Sequence, residues 1–184
     1  MTRLIETKRL NLRELELADV STEYVAWLND PDVDRYLETR LSRQDEESVR
    51  AFVERVRQRD DEFLFGIFLR DSGRHIGNIK VGPIRRHHRL ADVSLFIGAR
   101  DCWGQGYAAE AIGGVSRYAF DELGALKLSA TMYAPNVASM RAFLRAGYRE
   151  EGRRRDHFDL DRKRCDMIEL GLVPGDLGLP SPPS

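Results

Sequence analysis

Apolar and polar residues alternate along 9–15 (RLNLREL), the two-residue period of a strand with one buried face. Asp19 to Leu28 reads as a helix, closed by the turn-forming Asn29-Asp30-Pro31. A second helix is predicted from Asp45 to Gln58, with Val49, Phe52, Val53 and Val56 on one face. Ser42 followed three residues later by Asp45 resembles a capping signal for it. Residues 63–69 (FLFGIFL) and 74–82 (RHIGNIKVG) read as strands, and Asp71-Ser72-Gly73 between them predicts a hairpin. Leu90 to Ile97 is a further strand. The clearest amphipathic helix spans 107–123, where Ala108, Ala111, Ile112, Val115, Ala119 and Leu123 recur at spacings of three and four, and Gly124 is its stop. A strand over Leu126–Tyr133, a helix over Val137–Ala146 and two strands near 147–154 and 164–172 complete the pattern. The ending PGDLGLPSPPS is too rich in proline and glycine to pack well. The expectation is one α/β domain over 1–173 with a flexible tail over 174–184 and no internal repeat.

Composition narrows the functional classes. The chain has 184 residues, 42% of them apolar, enough for one compact core. Its 29 basic and 30 acidic side chains leave a formal charge of -1, which excludes a broad polybasic surface and argues against nucleic acid as a partner. No apolar run approaches the ~18–20 residues of a membrane span, and the first residues lack the apolar core of a secretory signal. The two cysteines, Cys102 and Cys165, have no metal-like spacing. No metal is expected, and a reducing cytoplasm is the expected location.

The most informative stretch is Trp103-Gly104-Gln105-Gly106-Tyr107-Ala108-Ala109-Glu110, which leads from a strand into the best helix. Glycines let a loop turn its N–H groups outward, and a helix N-terminus adds partial positive charge, so the pair favours a phosphate or diphosphate. A plain tight turn is the alternative. Gly104-x-Gly106-x-x-Ala109 formally matches the dinucleotide fingerprint, but the acidic residue expected about 20 positions on is absent. The 75 residues after Ala109 are also too few for a second mononucleotide half. No Walker lysine follows the glycines.

Taken together, several segments resemble the GNAT superfamily of N-acetyltransferases. The first is Ala91-Asp92-Val93-Ser94 through Ile97-Gly98, followed by Trp103 to Ala111 with its glycine loop. Tyr133-Ala134-Pro135-Asn136-Val137-Ala138-Ser139-Met140 and Leu144-Arg145-Ala146-Gly147-Tyr148 through Gly152 follow in the family's order. That ending, with the opening Glu6-Thr7-Lys8-Arg9-Leu10, is similar to the branch of ribosomal-protein N-terminal acetyltransferases. The resemblance covers roughly residues 3–172. It implies a single curved, mostly antiparallel mixed sheet with a central splayed parallel strand pair, flanked by helices.

The resemblance also implies roles. Acetyl-CoA would be the cosubstrate, its arm entering between strands 90–97 and 126–133 beside main-chain groups of Leu95, Phe96 and Ile97, as an added strand does. Its diphosphate would sit on the amides of Gly104, Gln105, Gly106, Tyr107 and Ala108. Trp103, which opens the loop where relatives carry Gln or Arg, is counted with these cofactor-binding residues. A main-chain N–H near Ile97 would stabilise charge on the thioester oxygen. Asn136 would bond the arm or cap the following helix, two roles that can coexist. Ser139 would help the CoA thiolate leave, or else is an ordinary helix serine; Phe143 stands where many relatives carry a tyrosine acid. An ammonium must lose a proton before it attacks, and Asp92 is the candidate base, directly or through water; the alternative is a solvent-facing carboxylate. Glu110 is read as structural, a carboxylate complementing the helix dipole. Trp27 is assigned to the core and Cys102 to a bystander role.

The implied reaction is direct acetyl transfer to a primary amine, either a protein N-terminal α-amine or a small-molecule amine. An amino-sugar nucleotide is the alternative acceptor, since Tyr36-Leu37-Glu38-x-Arg40 and His75-Ile76-Gly77-Asn78-Ile79-Lys80 also resemble amino-sugar acetyltransferases. A non-catalytic CoA-binding sensor is the contrasting class. A homodimer is compatible with the resemblance.

Overall fold

The computed structural model describes residues 3–180. Two strands open the chain, β1 (Leu4–Glu6) and β2 (Leu10–Glu14). Three helices on the way to the hairpin follow: α1 (Thr22–Trp27), α2 (Pro31–Asp34) and α3 (Glu46–Arg57). The hairpin β3 (Phe63–Leu69) and β4 (His75–Arg85) leads to β5 (Leu90–Ile97), α4 (Tyr107–Asp121) and β6 (Lys127–Tyr133). Then come α5 (Val137–Arg145) and the hairpin β7 (Arg149–Leu160) and β8 (Lys163–Leu172). Among the described residues the strands form one sheet in the order β1-β2-β3-β4-β5-β6-β8-β7. Every neighbouring pair is antiparallel except β5 and β6, which are parallel. The architecture is the mixed sheet with a central parallel pair that the resemblance implies.

Both faces of the sheet are used. On one face α4 buries Ala111, Ile112, Val115 and Ala119 completely, against strand residues such as Leu12, Ile79 and Val93. α5 lies beside α4, where buried Phe143 meets Tyr148 edge-on at 4.9 Å and the Tyr148 hydroxyl bonds Ser116 of α4 at 3.1 Å. The opposite face carries α1 and α3. There Phe96 of β5 packs on Tyr24 and Trp27 at 6.2 and 6.4 Å between ring centres.

Several boundaries differ from expectation for local reasons. The helix expected over 19–28 is interrupted, because Asp19 is drawn to Arg13 (2.6 and 2.7 Å) and Ser21 caps a new start by accepting from the Tyr24 amide. Asp45 caps α3 in a reciprocal arrangement with Ser48, whereas Ser42 takes no part. β7 runs to Leu160, well past its expected end, and a two-residue turn at Asp161 and Arg162 with φ of 53° and 62° closes the hairpin. The turn Pro174–Leu177 lies within the segment expected to trail off. Pro174 is buried and Leu177 packs on the core, so the packed domain extends past Val173; residues 181–184 lie outside the described residues.

Trp27 is a core residue, 6% exposed, and it sits flat against Gly98 just after β5. A Cβ on Gly98 would overlap the indole. Gly98→Ala is expected to lower stability by about 1–3 kcal/mol, the usual effect of overfilling a packed site. The check is a urea titration, in which the midpoint falls while the slope is unchanged.

Candidate active site

β5 and β6 pair only at their first residues, Leu90 to Asp92 beside Lys127 to Ser129. Beyond that each strand stays with its other neighbour. β5 remains registered to β4 as far as Ile97 opposite Gly77, and β6 to β8 as far as Tyr133 opposite Met167. The two strands therefore part after Asp92 and Ser129. Exposure follows: Ala91 and Val93 are buried, while Leu95, Phe96 and Ile97 are half-buried.

Main-chain direction along β5 can be fixed from one bond. The Gly98 amide donates to the Ile76 carbonyl at 2.9 Å. Antiparallel alternation then turns the main-chain groups of Ser94 and Phe96 toward β4, and those of Val93, Leu95 and Ile97 toward the parting. Of the three residues expected beside the arm, Leu95 and Ile97 thus present main-chain groups to the gap, and Phe96 does not. The Ile97 carbonyl is already met there by the Trp103 indole N–H, at 2.8 Å. Trp103, expected among the cofactor-binding residues, here ties the glycine loop to the end of β5.

The loop itself has the conformation its sequence suggested. Gly104 and Gly106 have φ of 74° and 83°, the left-handed region that favours glycine. Gly106 is the N-cap of the fifteen-residue α4 and offers no side chain to cap it. Among the described residues, the amides of Gly104, Gln105, Gly106, Tyr107 and Ala108 meet no hydrogen-bond acceptor. A helix end of this kind carries partial positive charge and outward donors, which suits an anion.

Glu110, in the first turn of α4, does not turn back to these amides. One carboxylate oxygen accepts from the Thr7 hydroxyl (2.7 Å) and the Arg9 amide (2.6 Å), and the other from Arg9 Nε (2.7 Å). Burial pushes its pKa up, but these donors together outweigh burial and hold it below the usual range. Glu110 is structural, as expected, through a latch onto the β1–β2 turn that sequence reasoning missed. The same arginine donates through Nη1 to the Gln105 carbonyl at 3.0 Å and lies over the Tyr107 ring at 4.3 Å.

The opposite face of the parting carries polar side chains. By alternation Asp92, Ser94 and Phe96 share the α1 face of β5, and register puts Ser129, Thr131 and Tyr133 on that face of β6. Ser94 and Thr131 are exposed although both strands are interior to the sheet, so among the described residues no helix covers this strip. Asp92 is half-buried. Burial raises its carboxyl pKa, opposed by the charges of Arg85, 3.2 Å away, and Lys80. At the far end the Tyr133 hydroxyl donates to Glu38 at 2.7 Å and its ring stacks on Phe158 at 4.1 Å, contacts between segments too distant in sequence for motif reading.

Asn136 and Ser139 stand where α5 begins, directly after β6. The Asn136 side-chain oxygen accepts from the Ser139 amide at 3.2 Å, so the capping role is present. Ser139 is half-buried on the first turn. His87 and His88 are exposed on the β4–β5 turn, away from the parting. Cys102 is buried and burial raises its thiol pKa, the setting of a bystander. No cluster of metal ligands occurs among the described residues.

Comparison with known proteins gives a consistent result. The family model of the acetyltransferase (GNAT) domain matches residues 9–149. The chain is 31% identical to Uncharacterized N-acetyltransferase YoaA of Bacillus subtilis (strain 168) over 151 residues, 81% of this chain and 84% of that protein. In fold it is similar to RimL, a ribosomal alpha-N-protein acetyltransferase solved in complex with coenzyme A (TM-score 0.84, 16% identity, 93% and 98% of the two chains). It is similar also to spermidine N-acetyltransferase from Vibrio cholerae, solved with CoA and spermine (TM-score 0.81, 20% identity, 91% and 97% of the two chains).

The Glu110 latch generates a stability prediction. A carboxylate with a depressed folded pKa contributes stability above its unfolded pKa and loses it as pH falls through the folded one. Glu110→Gln is therefore expected to destabilise at pH 7 by about 1–3 kcal/mol. Thermal unfolding of the two proteins should converge once the pH is well below the ordinary glutamate value of 4.5.

Proposed function

This chain belongs to the GNAT acetyltransferase family, and from that premise we propose that it acetylates the primary amine of a neutral or zwitterionic acceptor, a protein N-terminal α-amine foremost. The supporting observation is the pairing of an uncapped helix end with parted parallel strands. A strong anion fits the amides of residues 104–108, and an extended arm fits beside the main chain of Leu95 and Ile97. Acetyl-CoA combines these two features and supplies an activated acyl group.

The chain's own residues have distinct tasks. The glycine-loop amides bind and orient the diphosphate, with Trp103 holding the loop against β5. The Ile97 N–H faces the parting, where it can donate to an oxygen on which negative charge develops; one such fixed donor is typically worth about 3 kcal/mol. Asp92, with its raised pKa, accepts the acceptor's ammonium proton, directly or through a water. Ser139 donates toward the departing sulfur, and Asn136 holds the helix turn that carries it.

Charge on the open face favours a neutral or zwitterionic acceptor over a polyamine. Asp92 pairs with Arg85 (3.2 Å), Glu169 with Arg154 (2.6 Å) and Glu38 with Arg40 (3.6 Å). A polycation is best received by acids that lack such partners, because each pair already offsets the attraction.

Acceptor choice is tested by following CoA thiol release with a panel of amines. Peptides with free α-amines are expected to exceed spermidine in kcat/KM; preferred turnover of spermidine, or of an amino-sugar nucleotide, would refute the acceptor assignment. The proton path is tested by pH profiles. Activity should fall as pH drops through the Asp92 pKa, which lies above 3.8. Arg85→Met removes the charge that opposes the rise, so the acid limb should move to higher pH. Asp92→Asn should abolish the limb, and Ser139→Ala should lower kcat about tenfold with little change in KM.

A further inference from the structure

We propose that Arg9, on the β1–β2 turn, is a positioning residue that aims the glycine-loop amides at the diphosphate of the acetyl donor. This rests on the reading that the loop holds that diphosphate.

The geometry is a three-point grip. Arg9 is fixed from behind by Glu110, which takes both its Nε (2.7 Å) and its main-chain amide (2.6 Å). Its guanidinium lies 4.3 Å over the Tyr107 ring, on the first residue of α4. From that anchored position Nη1 donates to the Gln105 carbonyl at 3.0 Å. Nη2 lies 3.6 Å from where a Cβ on Gly106 would stand.

The consequence follows from peptide planarity. In a trans peptide the C=O and the following N–H point in opposite directions. Holding the Gln105 oxygen on the Arg9 side therefore turns the Gly106 N–H to the other side, and keeps a repelling carbonyl dipole away from it. Glycines on both sides of Gln105, each in the left-handed region, leave this peptide free to rotate unless something grips it. The Gln105 side chain is occupied elsewhere, on the Asp101 carbonyl at 2.7 Å. Arg9 also balances the Glu110 charge, so the carboxylate in the first turn does not oppose the anion.

Lysine cannot do the same. A single ammonium can pair with Glu110, but it lacks the planar fork that reaches Glu110 and the Gln105 carbonyl together. Thr7 offers the contrasting case: its hydroxyl supports Glu110 at 2.7 Å and makes no bond to the loop.

The test compares two donors, acetyl-CoA and S-acetylpantetheine, which lacks the diphosphate. For each protein the ratio of kcat/KM with the first to kcat/KM with the second is measured. In Arg9→Met and Arg9→Lys this ratio is expected to fall about tenfold, through KM for acetyl-CoA rather than kcat. In Thr7→Val, which loosens the same latch, stability falls and the ratio holds. An unchanged ratio in both Arg9 variants, or an equal drop in Thr7→Val, overturns the positioning role. Calorimetry on the unaltered protein separates this from failure of the underlying reading: CoA binding no tighter than pantetheine binding would refute the diphosphate site itself, and the proposal with it.

Discussion

The parting of β5 from β6 is the constraint on which the rest of the structure depends. Each strand is committed to a different half of the sheet, β5 to β4 and β6 to β8, over most of its length. Only three residues on each side hold the halves together directly. Past that point the strands cannot serve one another, and main-chain groups of β5 are left facing a gap. Such groups normally demand partners. A gap with unspent strand edges at its sides is a place for an extended ligand, and α4 starts beside its mouth.

Two contacts brace the glycine loop against the sheet. Trp103 reaches back to Ile97, and Arg9 with Glu110 ties the loop to the first hairpin. The proposed positions of the bound charge and of the chemistry are therefore braced against the same sheet. This arrangement also makes a carboxylate in the first turn of α4 compatible with the proposed anion site. Glu110 is turned away and neutralised, and the N-terminal dipole stays available. Gly114 serves the same arrangement by close packing, since a Cβ there would stand 2.8 Å from Thr7 Cγ2, on the turn that carries Arg9.

What was legible in the sequence follows from range. The strand at 90–97, the helix from 107 and the left-handed glycines are local signals, and each has its expected place. The parallel pair came from family resemblance, not from periodicity. Contacts across long separations left no local trace: Arg9 to Glu110 spans 101 positions and Tyr133 to Glu38 spans 95. β7 exceeds its expected length because its residues are almost all polar and exposed, so no alternation marks its extent. The helix over 19–28 failed because Asp19 has a tertiary partner that no helical period records.

Where the departing sulfur could find a proton is constrained by the tyrosines around α5. Phe143 has no hydroxyl and is buried against Tyr148. Tyr148 is itself enclosed, bonded to Ser116, and burial holds its pKa well above the ordinary value for a phenol. Tyr133 is half committed to Glu38, and burial together with that carboxylate raises its pKa as well. A phenol in either setting is a poor proton donor at neutral pH. Ser139 differs in being on the first turn of the helix, half-exposed, with its backbone fixed by Asn136. A serine is a weaker acid than a phenol, so in the proposed reaction Ser139 would contribute a hydrogen bond to developing thiolate charge rather than full proton transfer. A CoA thiolate needs little more than that, because thiols are acidic enough to leave as anions once the acyl group is taken by the amine.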